Sequence, residues 1–72
     1  MKAIYTREYQ NMASKIKLAR QRSGFNQKQV AKLLGKTQSY ISKIESGQIR
    51  LDVIQLKEIA KIYKKAITFF IN

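Results

Sequence analysis

One spacing limits what this chain can fold into more than any other. Ala31 stands four positions before Gly35, and Ile41 and Ile44 follow that glycine by six and nine positions. Two helices that cross at a steep angle need a small side chain where they touch, and Ala31 supplies it. The tight turn between them favours a residue that tolerates positive φ, as Gly35 does. The second helix then needs apolar residues on one face to hold it against the first. Val30, Leu34, Ile41 and Ile44 are spaced for that task. A helix held in this way keeps its opposite face free for a partner.

The composition narrows what that partner can be. The 72 residues suffice for one small domain, 1–72. Fifteen are Lys or Arg and four are Asp or Glu, so the formal net charge is +11. A surplus of that size points to a polyanion, either nucleic acid or an anionic membrane surface. Cysteine is absent, which excludes a disulfide framework and a thiolate metal site. Histidine is absent too, which removes the commonest metal ligand and the commonest general base. Glu8, Glu45, Asp52 and Glu58 leave little from which to build a catalytic carboxylate pair. The chain reads as a non-enzyme without cofactor or metal. It has no run of about eighteen apolar residues, and its opening MKAIYTREYQ carries no apolar segment. Neither a membrane span nor a signal peptide is expected, and the expected location is the cytoplasm.

Proline is absent and there are only three glycines, which suits an all-α chain. Residues 1–5 read as a flexible arm. Thr6 is placed to cap a first helix, with Glu8 in its first turn, and that helix runs to about Arg22. Its apolar positions Tyr9, Met12, Ala13, Ile16 and Ala19 follow the helical period. Ser23-Gly24 ends it. Asn26 and Gln29 form a capping box for helix two, whose expected buried stripe is Val30, Leu33 and Leu34. After the Gly35-Lys36 turn, Thr37 caps helix three, which runs to Ser46-Gly47. Asp52 and Gln55 repeat the capping pattern before helix four, which places Val53, Leu56, Ile59, Ala60 and Tyr63 on one face. Lys61, Lys64 and Lys65 crowd its end, where cations suit the helix dipole. Residues 66–72 fit either a short fifth helix or an extended tail.

The register of these elements resembles the phage-repressor and Cro-like helix-turn-helix domains, the Xre type. Arg20 precedes Gly24 by four residues, Asn26-Gln27 opens helix two, and Val30-Ala31 and Leu34-Gly35 follow. Ile41-Ser42-Lys43-Ile44-Glu45-Ser46-Gly47 matches the pattern that ends the third helix in that family. The resemblance covers about residues 16–70. It implies an all-α, lambda-repressor-like bundle of four to five helices, with helices two and three as the helix-turn-helix. The chain departs from the pattern at Lys36, where a small apolar residue is common. It departs again at Lys64-Lys65-Ala66, where the loop after helix four often carries glycine.

The resemblance also implies roles. Gln38, Ser39, Ser42 and Lys43 would contact bases in the major groove. Their chemistry suits this, since Gln can bond adenine, Lys can donate to guanine and Ser is permissive. Gln27, at a helix N-terminus, would contact a phosphate. Lys28, Lys36 and Arg50 would line the phosphate path. Tyr40 would either give its hydroxyl to a phosphate or pack on a neighbour. Arg20 and Glu45 would form a partly buried ion pair joining helix one to helix three. Any one of the lysines has a plainer explanation as a solvated charge. The apolar run Ile67–Ile71 either closes the core or offers a homodimer contact, with Phe70 and Ile71 at the interface and Phe69 buried.

The first functional reading is a sequence-specific regulator of double-stranded DNA, acting as a homodimeric repressor on a two-fold operator. A second adds a protein partner, as a toxin's antitoxin or a restriction-modification controller that regulates its own operon. A third is a general polyanion or membrane-surface binder. It would need a helix with one basic face and one exposed apolar face. Helix four comes closest, but the core needs its apolar face.

Overall fold

The computed structural model describes residues 7–71. The Thr6 cap, the arm over residues 1–5 and Asn72 lie outside the described residues. Five helices follow one another: α1 (Arg7–Arg22), α2 (Gln27–Leu34), α3 (Gln38–Glu45), α4 (Val53–Ile62) and α5 (Thr68–Ile71). The segment after α4 thus ends in a short helix rather than a wholly extended tail.

Local chemistry starts three of these helices. Asn26 Oδ1 accepts from the Gln29 N–H at 2.8 Å, while Gln29 Oε1 accepts from the Asn26 N–H at 2.8 Å. Asp52 and Gln55 make the same reciprocal pair at 2.8 and 3.0 Å. Thr37 Oγ1 accepts from the Tyr40 N–H at 3.1 Å. Each pair satisfies N–H groups that the first helical turn leaves without an internal partner.

Left-handed residues stop α1 to α4. Gly24, Gly35, Gly47 and Lys64 have φ of 80°, 66°, 75° and 55°. In each case the next N–H returns to a carbonyl five residues earlier. The bonds are Phe25 to Arg20 (3.2 Å), Lys36 to Ala31 (2.8 Å), Gln48 to Lys43 (2.9 Å) and Lys65 to Ala60 (2.9 Å). This closes the last turn and satisfies otherwise orphaned carbonyls. The chain therefore keeps the turn geometry after α4 with a lysine.

The core is formed by Ile16 and Ala19 of α1, Val30 and Ala31 of α2, Ile41 and Ile44 of α3, Leu56, Ile59 and Ala60 of α4, with Tyr63 and Phe70. Ala31 is buried in this core on α2, the helix that packs on α3, so a larger side chain there would have to displace close-packed neighbours. Two expected core residues are not in it. Leu33 is 59% exposed, because the buried face of α2 is set by Val30 and Ala31 and continues at Leu34, one residue further round the helix. Val53 is also 59% exposed; it is the first residue of α4, and burial of that helix begins a turn later at Leu56.

The C-terminal expectation is overturned at Phe70. Phe70 is 1% exposed, Phe69 is half-buried and Ile71 is 58% exposed. Successive helical residues point about 100° apart, and the way α5 lies on α1 turns Phe70, not Phe69, fully inward. Phe70 stacks edge-on against Phe69 at 5.1 Å, and the Lys65 ammonium lies 5.0 Å from the Phe69 ring. Phe70 is thus a core residue of the monomer, and only Ile71 of the expected pair is available to a partner.

Candidate nucleic-acid interface

The faces of α3 divide sharply. Ile41, Ile44 and Glu45 are buried. Gln38, Ser39, Ser42 and Lys43 are exposed and lie off the Ile41/Ile44 core face of the helix. The spacing i, i+1, i+4, i+5 gathers these four into one polar strip. They are short or flexible hydrogen-bonding groups of the kinds that read base edges.

A polar network beneath the strip fixes the helix. Arg20 Nε donates to Glu45 Oε2 at 2.6 Å and Arg20 Nη2 to Glu45 Oε1 at 3.1 Å. The third nitrogen, Nη1, donates to the Phe25 carbonyl at 2.9 Å. Both side chains are almost fully covered. A two-pronged guanidinium–carboxylate pair fixes direction as well as distance, so α1 sets the angle of α3. The hydrogen bond to Glu45 holds the Arg20 guanidinium pKa above its ordinary value, outweighing the opposite effect of burial. Tyr63 lies close by, with its ring 6.4 Å from that of Phe25. Burial pushes its phenol up to about 12, and the Glu45 charge adds to the shift while Arg20 opposes it.

The network continues outward. Gln27 Nε2 donates to Glu45 Oε1 at 3.0 Å, and Gln27 Oε1 accepts from Gln38 Nε2 at 3.4 Å. Gln27 is the first residue of α2 and half-buried, so one of its ends points inward while the other meets the exposed strip. Its inward bond to Glu45 has no signal in local sequence, because the two residues are eighteen apart.

The cations expected along the phosphate path, Lys28, Lys36 and Arg50, are all exposed. Lys36 leans back, with its ammonium 5.3 Å from the centre of the Tyr40 ring. Arg50 sits between α3 and α4, in a loop that Tyr9 anchors by donating its hydroxyl to the Ile49 carbonyl. Tyr40 is half-buried, and its hydroxyl accepts from Gln55 Nε2 at 2.9 Å. Gln55 appeared in the sequence only as a capping residue. The capping box uses its oxygen, which leaves the amide nitrogen for a second task.

Among the described residues, no group of three or more His, Cys, Asp or Glu side chains could hold a metal ion. No helix among them is long and apolar enough to cross a membrane. A family model described as Helix-turn-helix matches residues 16–70, from the middle of α1 into α5. The chain belongs to the Xre/Cro-like helix-turn-helix family. No curated protein and no solved structure matches it. Its function class is that of this helix-turn-helix family, DNA-binding regulators of transcription. In helix-turn-helix terms α2 and α3 are the paired helices and α3 is the recognition helix.

Proposed function

We propose that the protein is a sequence-specific reader of double-stranded DNA that represses transcription as a homodimer. The exposed strip of Gln38, Ser39, Ser42 and Lys43 carries this reading, because it lies on a helix whose angle the buried Arg20–Glu45 pair fixes. Gln38 and Lys43 supply directional base contacts and the two serines tolerate several bases. Gln27, Lys28, Lys36, Tyr40 and Arg50 hold the backbone phosphates and set the register. The net charge of +11 draws the chain to the duplex through counterion release. One recognition helix covers a half-site, so a two-fold dimer spans two successive major grooves. Ile71 is the exposed apolar residue of α5 and contributes to the contact between copies. Repression follows from occupancy, since a dimer seated on a promoter excludes polymerase.

The test is selection from a pool of random duplexes at about 150 mM salt, where non-specific attraction is weakened. The expected product is a two-fold site with half-sites about ten base pairs apart. A reporter promoter carrying that site should lose transcription when the protein is present. Recovery of no motif, with tight binding only at low salt, would reduce the protein to a charge-driven polyanion binder. Activation of the reporter would refute the repressor assignment and keep the reader.

A further inference from the structure

The Tyr40 hydroxyl is held by α4. Gln55, in the first turn of that helix, divides its amide between two elements. Its Oε1 accepts from the Asp52 N–H at 3.0 Å, completing the cap of α4. Its Nε2 donates to the Tyr40 hydroxyl oxygen at 2.9 Å. A phenol can accept one such bond and still donate its own hydrogen. With the Gln55 N–H seated on the oxygen, that hydrogen is directed to another acceptor. An accepted bond also strengthens a phenol as a donor, because linked hydrogen bonds polarise one another.

The surroundings indicate which acceptor fits. Tyr40 and Gln55 line a cleft with Leu34, Lys36, Glu58 and Ile59, where the turn, α3 and α4 meet. Its volume of about 80 Å³ is far below the roughly 300 Å³ at which small-molecule pockets begin. A soluble effector does not fit inside it. An oxygen of an extended polyanion can meet the phenol from outside, with the Lys36 ammonium beside the ring and Glu58 as the acid among the lining residues.

We infer that Gln55 is a positioning residue for DNA binding, which fixes the Tyr40 hydroxyl as a donor to a backbone phosphate beside the recognition helix. The inference rests on the proposed DNA-reading function. It adds a coupling, because the amide that aims the donor also caps α4.

A double-mutant cycle on a duplex carrying the selected site tests this. Tyr40→Phe should weaken binding about tenfold and Gln55→Ala about fourfold, as suits losing and then loosening one hydrogen bond to a charged group. In the Tyr40→Phe background, Gln55→Ala should change affinity by less than about 1.5-fold. If the two losses multiply instead, Gln55 acts only through the cap and the inference falls. Thermal melting of each variant separates the cap from the phenol bond, because in the Tyr40→Phe background Gln55→Ala removes only the cap. Gln55→Glu keeps the oxygen that caps α4, removes the N–H and offers the phenol hydrogen a competing acceptor. It should weaken binding more with Tyr40 present than with Tyr40→Phe; an equal effect overturns the inference. If Tyr40→Phe binds like the parent chain while selection still yields a two-fold site, the inference fails and the DNA-reading function stands. If selection yields no site, that function itself fails.

Discussion

The junctions after α2 and after α4 use the same backbone turn and then diverge. At the first, Gly35 takes φ 66° and the Lys36 N–H returns to Ala31 at 2.8 Å. At the second, Lys64 takes φ 55° and the Lys65 N–H returns to Ala60 at 2.9 Å. The two helices beyond these turns are held differently. The helix after Gly35 buries Ile41 and Ile44 and is fixed in addition through Arg20, Glu45 and Gln27, a set of directional polar bonds. The four-residue helix after Lys64 is fixed by burial of Phe70 against α1. Apolar burial is strong but non-directional, whereas a two-pronged ion pair specifies an angle. On the proposed function, the polar lock stands at the helix that is aimed at DNA. The apolar lock stands where the core only needs closing.

Phe70→Ala should show the largest effect, a loss of about 4 kcal/mol in urea unfolding, as for other large aromatic truncations in cores. The molecules that remain folded should bind DNA nearly as the parent does. Glu45→Ala should cost about 3 kcal/mol, because it strands the Arg20 charge in a covered site with only the Phe25 carbonyl as partner. Here the folded molecules should also bind DNA more weakly, since α3 has lost its lock. A Glu45→Ala cost of no more than about 1 kcal/mol would place the pair with solvent-exposed ones. If Phe70→Ala damaged binding and Glu45→Ala did not, the contrast between the two junctions would be wrong.

Next in size is a pH effect from Tyr63, beneath the polar lock. Its folded-state pKa of about 12 lies above the unfolded value of about 10. The unfolded chain therefore ionises first as pH rises. The stabilisation is fully present below about pH 10 and is lost as pH climbs from there through the folded value. Its size is roughly 2–3 kcal/mol for a shift of about two units. Melting curves across this range should fall less steeply for Tyr63→Phe than for the parent. Parallel curves would mean that the phenol is not desolvated beside Glu45.

The smallest effects concern the turns themselves. Nothing lies within 4 Å of a β-carbon built at Gly35, so Gly35→Ala should cost only its left-handed conformation, about 1 kcal/mol. Lys64→Gly should gain a similar amount, about 1 kcal/mol, by relieving the same strain. No gain at Lys64 would show that the lysine holds this conformation as easily as glycine does.

The sequence made the caps and turns legible because they are local. Asn26 with Gln29 and Asp52 with Gln55 each lie three residues apart, and Gly35 marks its own turn. The split of α3 into core and exposed faces was legible from helical phase. Positions that depend on where a neighbour sits were not. Leu33 and Val53 fit an apolar stripe by period, but no neighbouring element covers them. Phe69 and Phe70 have equal apolar character, and only the angle of α5 on α1 chooses between them. The bonds from Gln27 to Glu45 and from Gln55 to Tyr40 span eighteen and fifteen residues, so no local spacing announces them.

The most direct measurement is to repeat the duplex selection with Gln38→Ala. If the exposed strip of α3 reads bases, the recovered site should keep its two-fold form and half-site spacing. It should lose its preference at a position read by Gln38 in each half-site, where a bidentate contact carries about 1–3 kcal/mol of discrimination. Recovery of the parent site with every preference intact would contradict the assignment of α3 as the reading helix.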